Sequence, residues 1–325
     1  MPEISVIIPC YNSLPHIKKC FETLENQTFK DFEVIVIEDC SDDDSYKWVS
    51  AYQNTTKMEL IVLKNLQNMG PGRTRNRGIE NASGKYLLFL DADDYLAEDT
   101  LEQVYGVLRG TDYDAVLFDY FLVKGKRRQK GITIYGADEG EADHKSVMVN
   151  MTGSTWCKLY KKEVIWNNQV RFPELTRNED SPFNRIAMAH CQKVYYLKKN
   201  LYFYVQHKNS LMHNSSLDGF ENTEKAFTLI RSSLEEDYPK EVRKIFITEL
   251  LYPMITIYAS QNRTNREIKN KICELEQQCV EWYKIALGLP APKYKKTIFC
   301  LIKKRKIYQL KCICAIMNIC KKILR

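Results

Sequence analysis

The chain has 325 residues, of which 44% are apolar and 27% are charged, and this balance predicts a folded protein with a large core rather than a disordered one. Its net charge is +7, but residues 293–325 hold eleven Lys and Arg and no Asp or Glu, so the rest of the chain is slightly acidic. The charge of that main part argues against nucleic-acid binding.

Three features of the sequence point to the cytoplasm. Eleven cysteines without CxxC spacing are typical of reduced thiols, and Cys20 is expected to fill the core. No uncharged stretch reaches the ~18 apolar residues of a transmembrane helix. Met1-Pro2-Glu3-Ile4 leads directly into a strand without the basic start of a signal peptide. The sequence therefore predicts a cytoplasmic protein.

The first part of the chain alternates between strands and helices. Apolar runs predict four strands, over 4–8, 34–37, 60–63 and 86–90. A helical pattern follows each of the first three strands, and such βα units in succession predict an α/β fold with a mostly parallel, doubly wound sheet and helices on both faces. A fifth strand is expected over 115–123, and Gly125 with the basic residues 126–130 is expected to turn it into a second strand at 132–134.

The second part has a different pattern. Short strands and loops begin at Gly153, with a helix expected to open at 178–180 and a strand over 195–205. Three helices should then cover 219–236, 239–260 and 264–287, and Pro253 should kink the second. These features predict three parts: a first domain over 1–215, a helical accessory region over 216–289, and a basic amphipathic tail over 290–325.

Three carboxylates, Asp91, Asp93 and Asp94, directly follow the apolar run 86–90. Ligands of parallel sheets bind at the carboxyl ends of the strands, so these side chains should line a site. Carboxylates this close stay ionised together only if water or a cation neutralises them, and a hard divalent metal fits. The alternative is a solvated helix start, where Asp is common. Delivery by a long buried strand favours the metal site.

Five motifs then occur in the order and spacing of a known family. They are Ser5-Val6-Ile7-Ile8-Pro9-Cys10-Tyr11-Asn12, Asn68-Met69-Gly70, Thr74-Arg75-Asn76, Phe89-Leu90-Asp91-Ala92-Asp93-Asp94 and Glu179-Asp180. Over residues 4 to about 210 the chain resembles a family 2 glycosyltransferase with the GT-A fold, an inverting enzyme that depends on a nucleotide-sugar donor. The helical remainder and the basic tail lie outside this resemblance.

The resemblance implies a nucleotide site built by the early strands. Asp39 matches the family's uracil-contacting Asp, and Pro9 and Tyr11 would form the wall of the base pocket. Asn68 and Arg75 would close the site, with the guanidinium on two phosphate oxygens.

The chain departs from the family next to Asp39. The family pattern resembles Asp-Asp-Gly-Ser, whereas Cys40 stands at the Gly position here, so this loop is expected to sit differently. The alternative for Asp39 is a cap on the following helix.

The resemblance also implies roles for the acidic cluster. Asp93 would be the direct metal ligand, Asp91 would contact the ribose or the donor sugar, and Asp94 is grouped with the substrate-binding residues. Mn²⁺ or Mg²⁺ would neutralise the leaving diphosphate. His207 is either a further metal ligand or a structural histidine, and both interpretations stay open.

Asp180 matches the family's catalytic base, which takes the proton of the acceptor hydroxyl. Glu179 is expected beside it as a substrate-binding residue whose charge raises the pKa of Asp180. A capping box over 178–182 is the alternative for this segment. Trp156 and Lys158 resemble the family's Trp-x-Lys segment and are expected on the acceptor side.

These features predict an inverting transferase that moves a sugar, expected to be UDP-linked, to a hydroxyl of a cell-surface glycan, a lipid-linked oligosaccharide or a polyol-phosphate. A metal-dependent nucleotidyltransferase is one alternative, but the Gly-rich phosphate loop expected near the N-terminus is absent between Pro9 and Leu14. A non-catalytic glycan-assembly scaffold is another, but both the base and the metal carboxylates are present.

The tail carries an apolar stripe at helical spacing beside many lysines. The stripe consists of Leu310, Ile313, Met317, Cys320 and Leu324. It predicts either a helix that lies on the anionic inner face of the plasma membrane or one that packs on a sister chain in a homo-oligomer.

Overall fold

The computed structural model describes residues 1–206, 218–261 and 263–323. The chain falls into two compact units, Met1–Ser210 and Leu211–Arg325.

The first unit contains a ten-stranded sheet and seven helices within its described residues. Its strands are β1 (Ile4–Cys10), β2 (Phe32–Glu38), β3 (Glu59–Lys64), β4 (Tyr86–Phe89), β5 (Tyr95–Leu96), β6 (Ala115–Lys124), β7 (Arg127–Gly131), β8 (Gly140–Ala142), β9 (Lys158–Lys161) and β10 (Val194–Val205). Its helices are α1 (Leu14–Glu25), α2 (Ser45–Gln53), α3 (Pro71–Asn81), α4 (Thr100–Leu108), α5 (His144–Asn150), α6 (Lys162–Asn167) and α7 (Asp180–Ala189).

The sheet has the strand order β3-β2-β1-β4-β9-β6-β10-β5, with β7 paired to β6 and β8 to β10. The first four strands in this order are mutually parallel, and so are β6 and β10. β9 is antiparallel to both β4 and β6, so β4 and β6 run in the same direction. The predicted mostly parallel sheet is confirmed, with β9 inserted between its two parallel sections.

Helices cover both faces of this sheet because its central strands are apolar on both sides. Val6 and Ile8 share one core with α1, in which Cys20 is fully buried as expected. Ile7 and Ile37 point to the opposite face, where α3 approaches so closely that a Cβ on Gly78 would lie 2.3 Å from the Cγ2 of Ile7. The α/β fold class is therefore confirmed.

The hairpin after β6 differs from the prediction. Its return strand is the basic run Arg127–Gly131 itself, and Ile134 instead forms an isolated bridge with Met151. The turn is tighter than expected because Gly125 adopts a left-handed φ of 54°. Lysines and arginines suit this exposed strand, although they hide its strand character in the sequence.

The second unit is helical. Its helices are α8 (Asp218–Leu234), α9 (Pro239–Ile245), α10 (Tyr252–Ser260), α11 (Asn265–Gln278), α12 (Trp282–Gly288), α13 (Lys293–Lys303) and α14 (Ile307–Ile323). A π-helical segment, Phe246–Leu251, joins α9 to α10 just before Pro253, so the expected irregularity takes this form. The helix predicted over 264–287 is in fact two, α11 and α12.

The tail is part of this helical unit. α14 packs against α10, α11 and α13, and Leu310 and Cys314 are buried there. Ile313 and Met317 are half-buried, while the side chains of Cys320 and Leu324 lie outside the described ones. The stripe predicted to face a membrane or a sister chain therefore turns inward at Leu310, because α14 buries its apolar side against its own neighbours.

Across the described ranges, no helix combines the length and apolar character needed to cross a membrane. The ten cysteines in this part of the chain are free thiols.

Candidate active site

The predicted site residues converge on the carboxyl edge of the parallel strands. β1 leads to Tyr11, β2 to Asp39 and β4 to the acidic cluster, and the three strands are parallel neighbours. Arg75 of α3 and Asp180 of α7 join the same edge, because Arg75 is hydrogen-bonded both to Asp180 and to the acidic cluster. The topology thus assembles side chains that are far apart in the sequence.

The acidic cluster is formed by Asp91, Asp93 and Asp94, which each offer a carboxylate oxygen within 4.8 Å of the others. Asp91 and Asp93 are half-buried, whereas Asp94 is buried. An all-oxygen donor set at this spacing suits a hard divalent cation such as Mg²⁺ or Mn²⁺. The chemistry of the residues present therefore fits the predicted cation.

Asp94 is the most buried carboxylate of this cluster. Its Oδ2 accepts a hydrogen bond from the Tyr202 hydroxyl at 2.6 Å, and its Oδ1 accepts one from the Val205 N–H at 2.7 Å. Burial, followed by the charges of Asp93 and Asp91, raises the pKa of Asp94 well above its usual value. Asp94 is 1% exposed and ties the acidic loop to the end of β10, and its role as a substrate-binding residue stays a prediction.

Arg75 connects the acidic cluster to the predicted base. Its Nη2 donates to Asp91 Oδ1 at 2.7 Å, and its Nη1 donates to Glu179 Oε1 at 2.9 Å and to Asp180 Oδ1 at 3.1 Å. Burial alone would lower the pKa of Arg75, but Asp180, Asp91 and Glu179 together raise it. In this structure the guanidinium binds three carboxylates, because α3 inserts it between them. Its contact with the donor diphosphate stays a prediction.

The sequence of α3 permits this insertion. Gly72, in the first turn of α3, lies close to the loop that precedes α7. A Cβ on Gly72 would be 3.0 Å from the Pro173 carbonyl oxygen and 3.3 Å from Glu179 Cγ. An added Cβ would require these neighbours to shift by a few tenths of an ångström. The centroid of the Phe172 ring lies 5.5 Å from the Arg75 guanidinium carbon, and this cation–π contact supports the guanidinium.

Glu179 and Asp180 differ in environment although they are adjacent. Their side chains are 9% and 23% exposed, so Asp180 is the more accessible of the two. Burial and the charge of Asp180 raise the pKa of Glu179 to about 7, against the opposing effect of Arg75. Asp180 Oδ2 accepts the Thr155 N–H at 3.2 Å. Within the described residues Glu179, which directly precedes α7, makes no side-chain capping bond.

At the predicted nucleotide end, Asp39 is buried and holds the loop after β3. It accepts hydrogen bonds from Asn65 Nδ2 at 2.7 Å and from the N–H groups of Met69 and Gly70, both at 2.9 Å. Its carboxylate is engaged in this loop, while α2 begins after Asp44 without a side-chain cap among the described residues, so the capping alternative for Asp39 is wrong.

The loop around Asp39 keeps a glycine-like backbone without glycine. Cys40 has φ +61°, a left-handed conformation that is costly for a residue with a Cβ. Cys40 thus adopts a conformation that glycine favours, and the expectation that the loop sits differently from the family's stays a prediction.

The remaining predicted nucleotide residues surround this loop with different exposures. Tyr11 is exposed, and its hydroxyl lies 3.5 Å from Asp42 Oδ2. Pro9 is half-buried, and Asn68 is exposed and accepts the Gly70 N–H through its Oδ1 at 3.1 Å. An exposed Tyr ring beside a half-buried Pro offers an apolar surface on which a base could stack.

Trp156 lies in a row of aromatic rings from β6 and β10, across the acidic cluster from the predicted nucleotide end. It stacks on Tyr202 and Tyr204, with ring centroids 4.9 and 5.2 Å away, and Tyr120 meets it edge-on at 4.7 Å. Trp156 is 9% exposed, whereas Tyr120 and Tyr204 are half-buried. Lys158 is fully buried, and its ammonium group binds the loop at Ser154.

His207 lies outside the described residues, so its predicted role as a ligand stays a prediction. Tyr202 and Thr155, which bind Asp94 and Asp180, are not identified by the sequence motifs. The alternation of Tyr202 and Tyr204 along β10 is the available signal for Tyr202. Thr155 acts through its backbone, which no side-chain pattern reveals.

Comparison with known proteins identifies relatives for most of the chain. The profile of the family described as Glycosyl transferase family 2 matches residues 5–168. EpsH of Bacillus subtilis (strain 168), which is named as a glycosyltransferase, is 30% identical over an alignment of 255 residues. The alignment covers 74% of this chain and 73% of EpsH. The poly(ribitol-phosphate) beta-N-acetylglucosaminyltransferase TarS of Staphylococcus aureus (strain Mu50 / ATCC 700699) is 26% identical over 268 residues, which are 82% of this chain and 46% of TarS. The match thus spans about half of TarS.

Solved structures share the fold. S. aureus TarS 1-349 in complex with UDP-GlcNAc aligns with a TM-score of 0.73 over 96% of this chain and 90% of that one, at 22% identity. The mannosyltransferase PcManGT of Pyrobaculum calidifontis, in complex with GDP-Man and Mn²⁺, aligns with a TM-score of 0.58 over 95% of this chain and 87% of that one, at 16% identity. At these identities the likeness establishes the fold alone.

Proposed function

The chain belongs to glycosyl transferase family 2 and is a glycosyltransferase, and we propose that it moves a sugar from a UDP-linked donor to an acceptor hydroxyl with inversion at the sugar carbon. Membership of this family removes the nucleotidyltransferase alternative. It also favours an enzyme over a silent scaffold.

The observation that carries this proposal is the Arg75 guanidinium, which binds Asp91 on one side and Asp180 on the other. One planar guanidinium thereby bridges the acidic cluster, where the donor would be held, and the carboxylate that would act as base. Inversion needs these two groups on opposite faces of the reacting carbon, in a fixed relation to each other.

For the donor we propose a site along the loops after β1 and β2. Tyr11 and Pro9 would stack against the base, Asp39 would accept its N–H, and Asn68 would close the pocket. The crystal complexes of TarS with UDP-GlcNAc and with UDP support a uracil nucleotide. Asp91 would contact the ribose or the donor sugar.

The cation would be held chiefly by Asp93, with the donor phosphates and water completing its ligands. A bound Mg²⁺ or Mn²⁺ would neutralise the charge that develops on the departing diphosphate. The Mn²⁺ complex of PcManGT supports this choice of metal.

The base would be Asp180. Its carboxylate is held by the Thr155 N–H and by Arg75, so it is oriented before the acceptor arrives. Proton transfer from the acceptor hydroxyl to Asp180 would accompany formation of the new glycosidic bond. Glu179 would tune this site through its contact with Arg75.

For the acceptor we propose a glycan, a lipid-linked saccharide or a polyol-phosphate, reaching the site past Trp156. The poly(ribitol-phosphate) named for TarS supports an acceptor of this kind. We also propose that exposed lysines near the C-terminus hold the protein on an anionic membrane surface, where a lipid-linked acceptor would be found.

The test is a panel of UDP-GlcNAc, UDP-glucose and GDP-mannose incubated with the purified protein and Mn²⁺, with release of nucleoside diphosphate as the readout. We expect release from a UDP-sugar, and its loss in Asp93→Asn and in the presence of a chelator. Asp31→Asn, an exposed carboxylate before β2, is the matched control and should retain activity.

Calorimetry with UDP separates the metal assignment from turnover. UDP should bind the native protein more tightly with Mn²⁺ than with a chelator, and Asp93→Asn should lose this difference. Equal UDP affinity under both conditions in the native protein would show that the cation assignment is wrong, and absence of release from every donor would contradict the proposed activity.

A further inference from the structure

The hairpin formed by β6 and β7 carries an isolated concentration of positive charge. Lys124, Lys126, Arg127, Arg128 and Lys130 place five cations within seven residues, without an acid among them. Residues 126–130 are exposed and Lys124 is half-buried. Residues 1–292 as a whole have 37 Lys and Arg against 41 Asp and Glu, so this cluster stands out from an acidic background.

The hairpin rises from the edge of the sheet that carries the candidate active site. β6 runs in the same direction as β4, so its tip at Gly125 and Lys126 lies at the carboxyl edge, as the acidic cluster does. The Gln206 N–H donates to the Val123 carbonyl oxygen at 2.9 Å, and the neighbouring Val205 N–H donates to Asp94 at 2.7 Å. The end of β10 therefore links the base of the hairpin to the acidic loop, through one hydrogen bond to each.

A row of rings makes a second connection. The Arg128 guanidinium lies 4.9 Å from the centroid of the Phe203 ring, and Phe203 stacks on Tyr95 at 4.6 Å. Tyr95 directly follows Asp93 and Asp94 in the chain. These ring contacts consequently hold the hairpin against the acidic loop.

The hairpin lies on the acceptor side of this loop. The proposed nucleotide pocket follows β1 and β2, which precede β4 in the strand order, whereas β6 lies two positions beyond β4 on the other side. The cations of the hairpin are thus separated from the donor by the acidic cluster. Trp156, past which the acceptor is proposed to reach the site, contacts Tyr120 of the same strand β6.

We infer that the acceptor is an acidic polymer, with a phosphate or carboxylate in its repeating unit, and that the β6–β7 hairpin binds it. This inference rests on the proposed function and deepens it. Successive strand residues are ~3.4 Å apart and point to alternate sides, so the hairpin offers cations along its length to a chain that carries charge at intervals. Exposed cations of this kind raise the local concentration of an anionic partner and act most strongly at low ionic strength.

The test compares a triple variant, Lys126→Gln, Arg127→Gln and Lys130→Gln, with the native protein. Arg128 is left in place because it stacks on Phe203. The matched control neutralises Lys30, Lys57 and Lys85, which are exposed and precede β2, β3 and β4 at the opposite edge of the sheet. Poly(glycerol phosphate) serves as the acidic acceptor and phosphate-free polyglycerol of equal length as the neutral one.

We expect the hairpin variant to raise KM for poly(glycerol phosphate) about tenfold or more at low salt, with kcat changed less than about twofold. Release of UDP to water and transfer to polyglycerol should be unchanged, and the control variant should behave like the native protein. Raising NaCl should bring the native KM toward that of the hairpin variant. Equal KM values for the hairpin and control variants would overturn the inference.

Direct binding of poly(glycerol phosphate), measured by calorimetry without donor, separates this inference from the proposed function. Absence of UDP release from every donor would contradict the proposed function, while the hairpin would still be judged by binding: weaker binding in the hairpin variant supports it and equal binding overturns it. Vesicles of phosphatidylglycerol form the last arm. If the variant loses vesicle binding and keeps polymer binding, the hairpin is a membrane contact and the inference is wrong.

Discussion

Arg75 is the residue on which the geometry of the site depends. It is buried with three carboxylates around it, so its charge is compensated and theirs are partly neutralised. A guanidinium can serve several oxygens at once because its donors form a planar fork, which a lysine ammonium cannot reproduce. The consequence at the residue scale is that Asp91, Glu179 and Asp180 are held before any substrate binds.

Asp180→Asn should keep donor binding and lose turnover by two or more orders of magnitude, the range that a positioned base commonly contributes. The amide can still accept the Thr155 N–H but cannot take a proton. Steady-state kinetics with a UDP-sugar and calorimetry with UDP measure the two effects separately. Glu179→Gln is the control and should be milder, and unchanged turnover in Asp180→Asn would assign the base to another residue.

Glu179 should make the stability of the protein depend on pH. Its pKa is raised to about 7 in the folded state, from an ordinary value of 4.5, so the folded state holds a proton that the unfolded state has lost. Between about pH 4.5 and pH 7 the free energy of unfolding should therefore fall as pH rises, by at most about 1.4 kcal/mol per pH unit. Above pH 7 this effect should level off.

Urea denaturation of the native protein and of Glu179→Gln between about pH 4.5 and pH 8, in the presence of a chelator, measures this dependence. The difference in unfolding free energy between the two proteins should shift in favour of the Gln variant as pH rises to about 7. Parallel curves would mean that Glu179 is not protonated in the folded protein at the acidic end.

At the element scale, the parts of the fold that could be predicted are those whose residues are apolar in uninterrupted runs. The strands β1, β2 and β4 fall where such runs occur, because strands buried on both faces need them. The sequence pattern places β7 too late in the chain because its charged residues conceal a strand exposed to water. Runs of apolar residues therefore predict buried strands well, but they do not predict an exposed strand such as β7 that pairs at the edge of the sheet.

Tertiary contacts account for another difference. α11 ends at Gln278 without a glycine or proline, so its end carries no stop signal in the sequence. Glu276 there accepts hydrogen bonds from Trp282 Nε1 and from Arg305, a residue 29 positions away. Tertiary contacts also decide the candidate active site. Each carboxylate that binds Arg75 can be predicted as a site residue from its own motif, but their common contact with Arg75 forms only in the folded sheet.

The contact between α3 and the sheet should be sensitive to one methyl group. Gly78→Ala would place a Cβ 2.3 Å from Ile7 Cγ2 and 2.9 Å from Ile37 Cδ1, so we expect a loss of about 1–3 kcal/mol in unfolding free energy. Because α3 carries Arg75, activity should fall as well. Gly106→Ala in α4 is the matched control: apart from the adjacent helix backbone, no atom of the described residues lies within 4 Å of the added Cβ, and the change should stabilise the protein by about 0.5–1 kcal/mol. Equal effects of the two substitutions, measured by urea denaturation, would contradict the tight approach of α3.

At the scale of the whole molecule, the two units differ in charge and in the surfaces they present. The eleven cations of residues 293–325 belong to α13, α14 and the residues next to them, and that segment contains no acid. Since α14 turns Leu310 inward, the surface that the described residues leave for a partner includes exposed Lys303, Lys304 and Lys306 with exposed Tyr308 and Ile316. Such a mixture of cations and apolar side chains suits the interface of an anionic bilayer.

The membrane proposal is tested with point substitutions rather than truncation, because removal of α13 and α14 would take Ile298, Phe299 and Ile302 out of the core. A triple variant, Lys303→Gln, Lys304→Gln and Lys306→Gln, should weaken binding to phosphatidylglycerol vesicles about a hundredfold, since each lysine near an anionic surface contributes ~1 kcal/mol. Co-sedimentation at low and high salt measures this, and neutral vesicles should bind neither protein. Neutralising Lys30, Lys57 and Lys85 in the first unit gives the same change in charge and should leave vesicle binding unaltered. If both triple variants bind vesicles as the native protein does, and light scattering shows a stable dimer, the exposed face of α14 is a contact between sister chains instead.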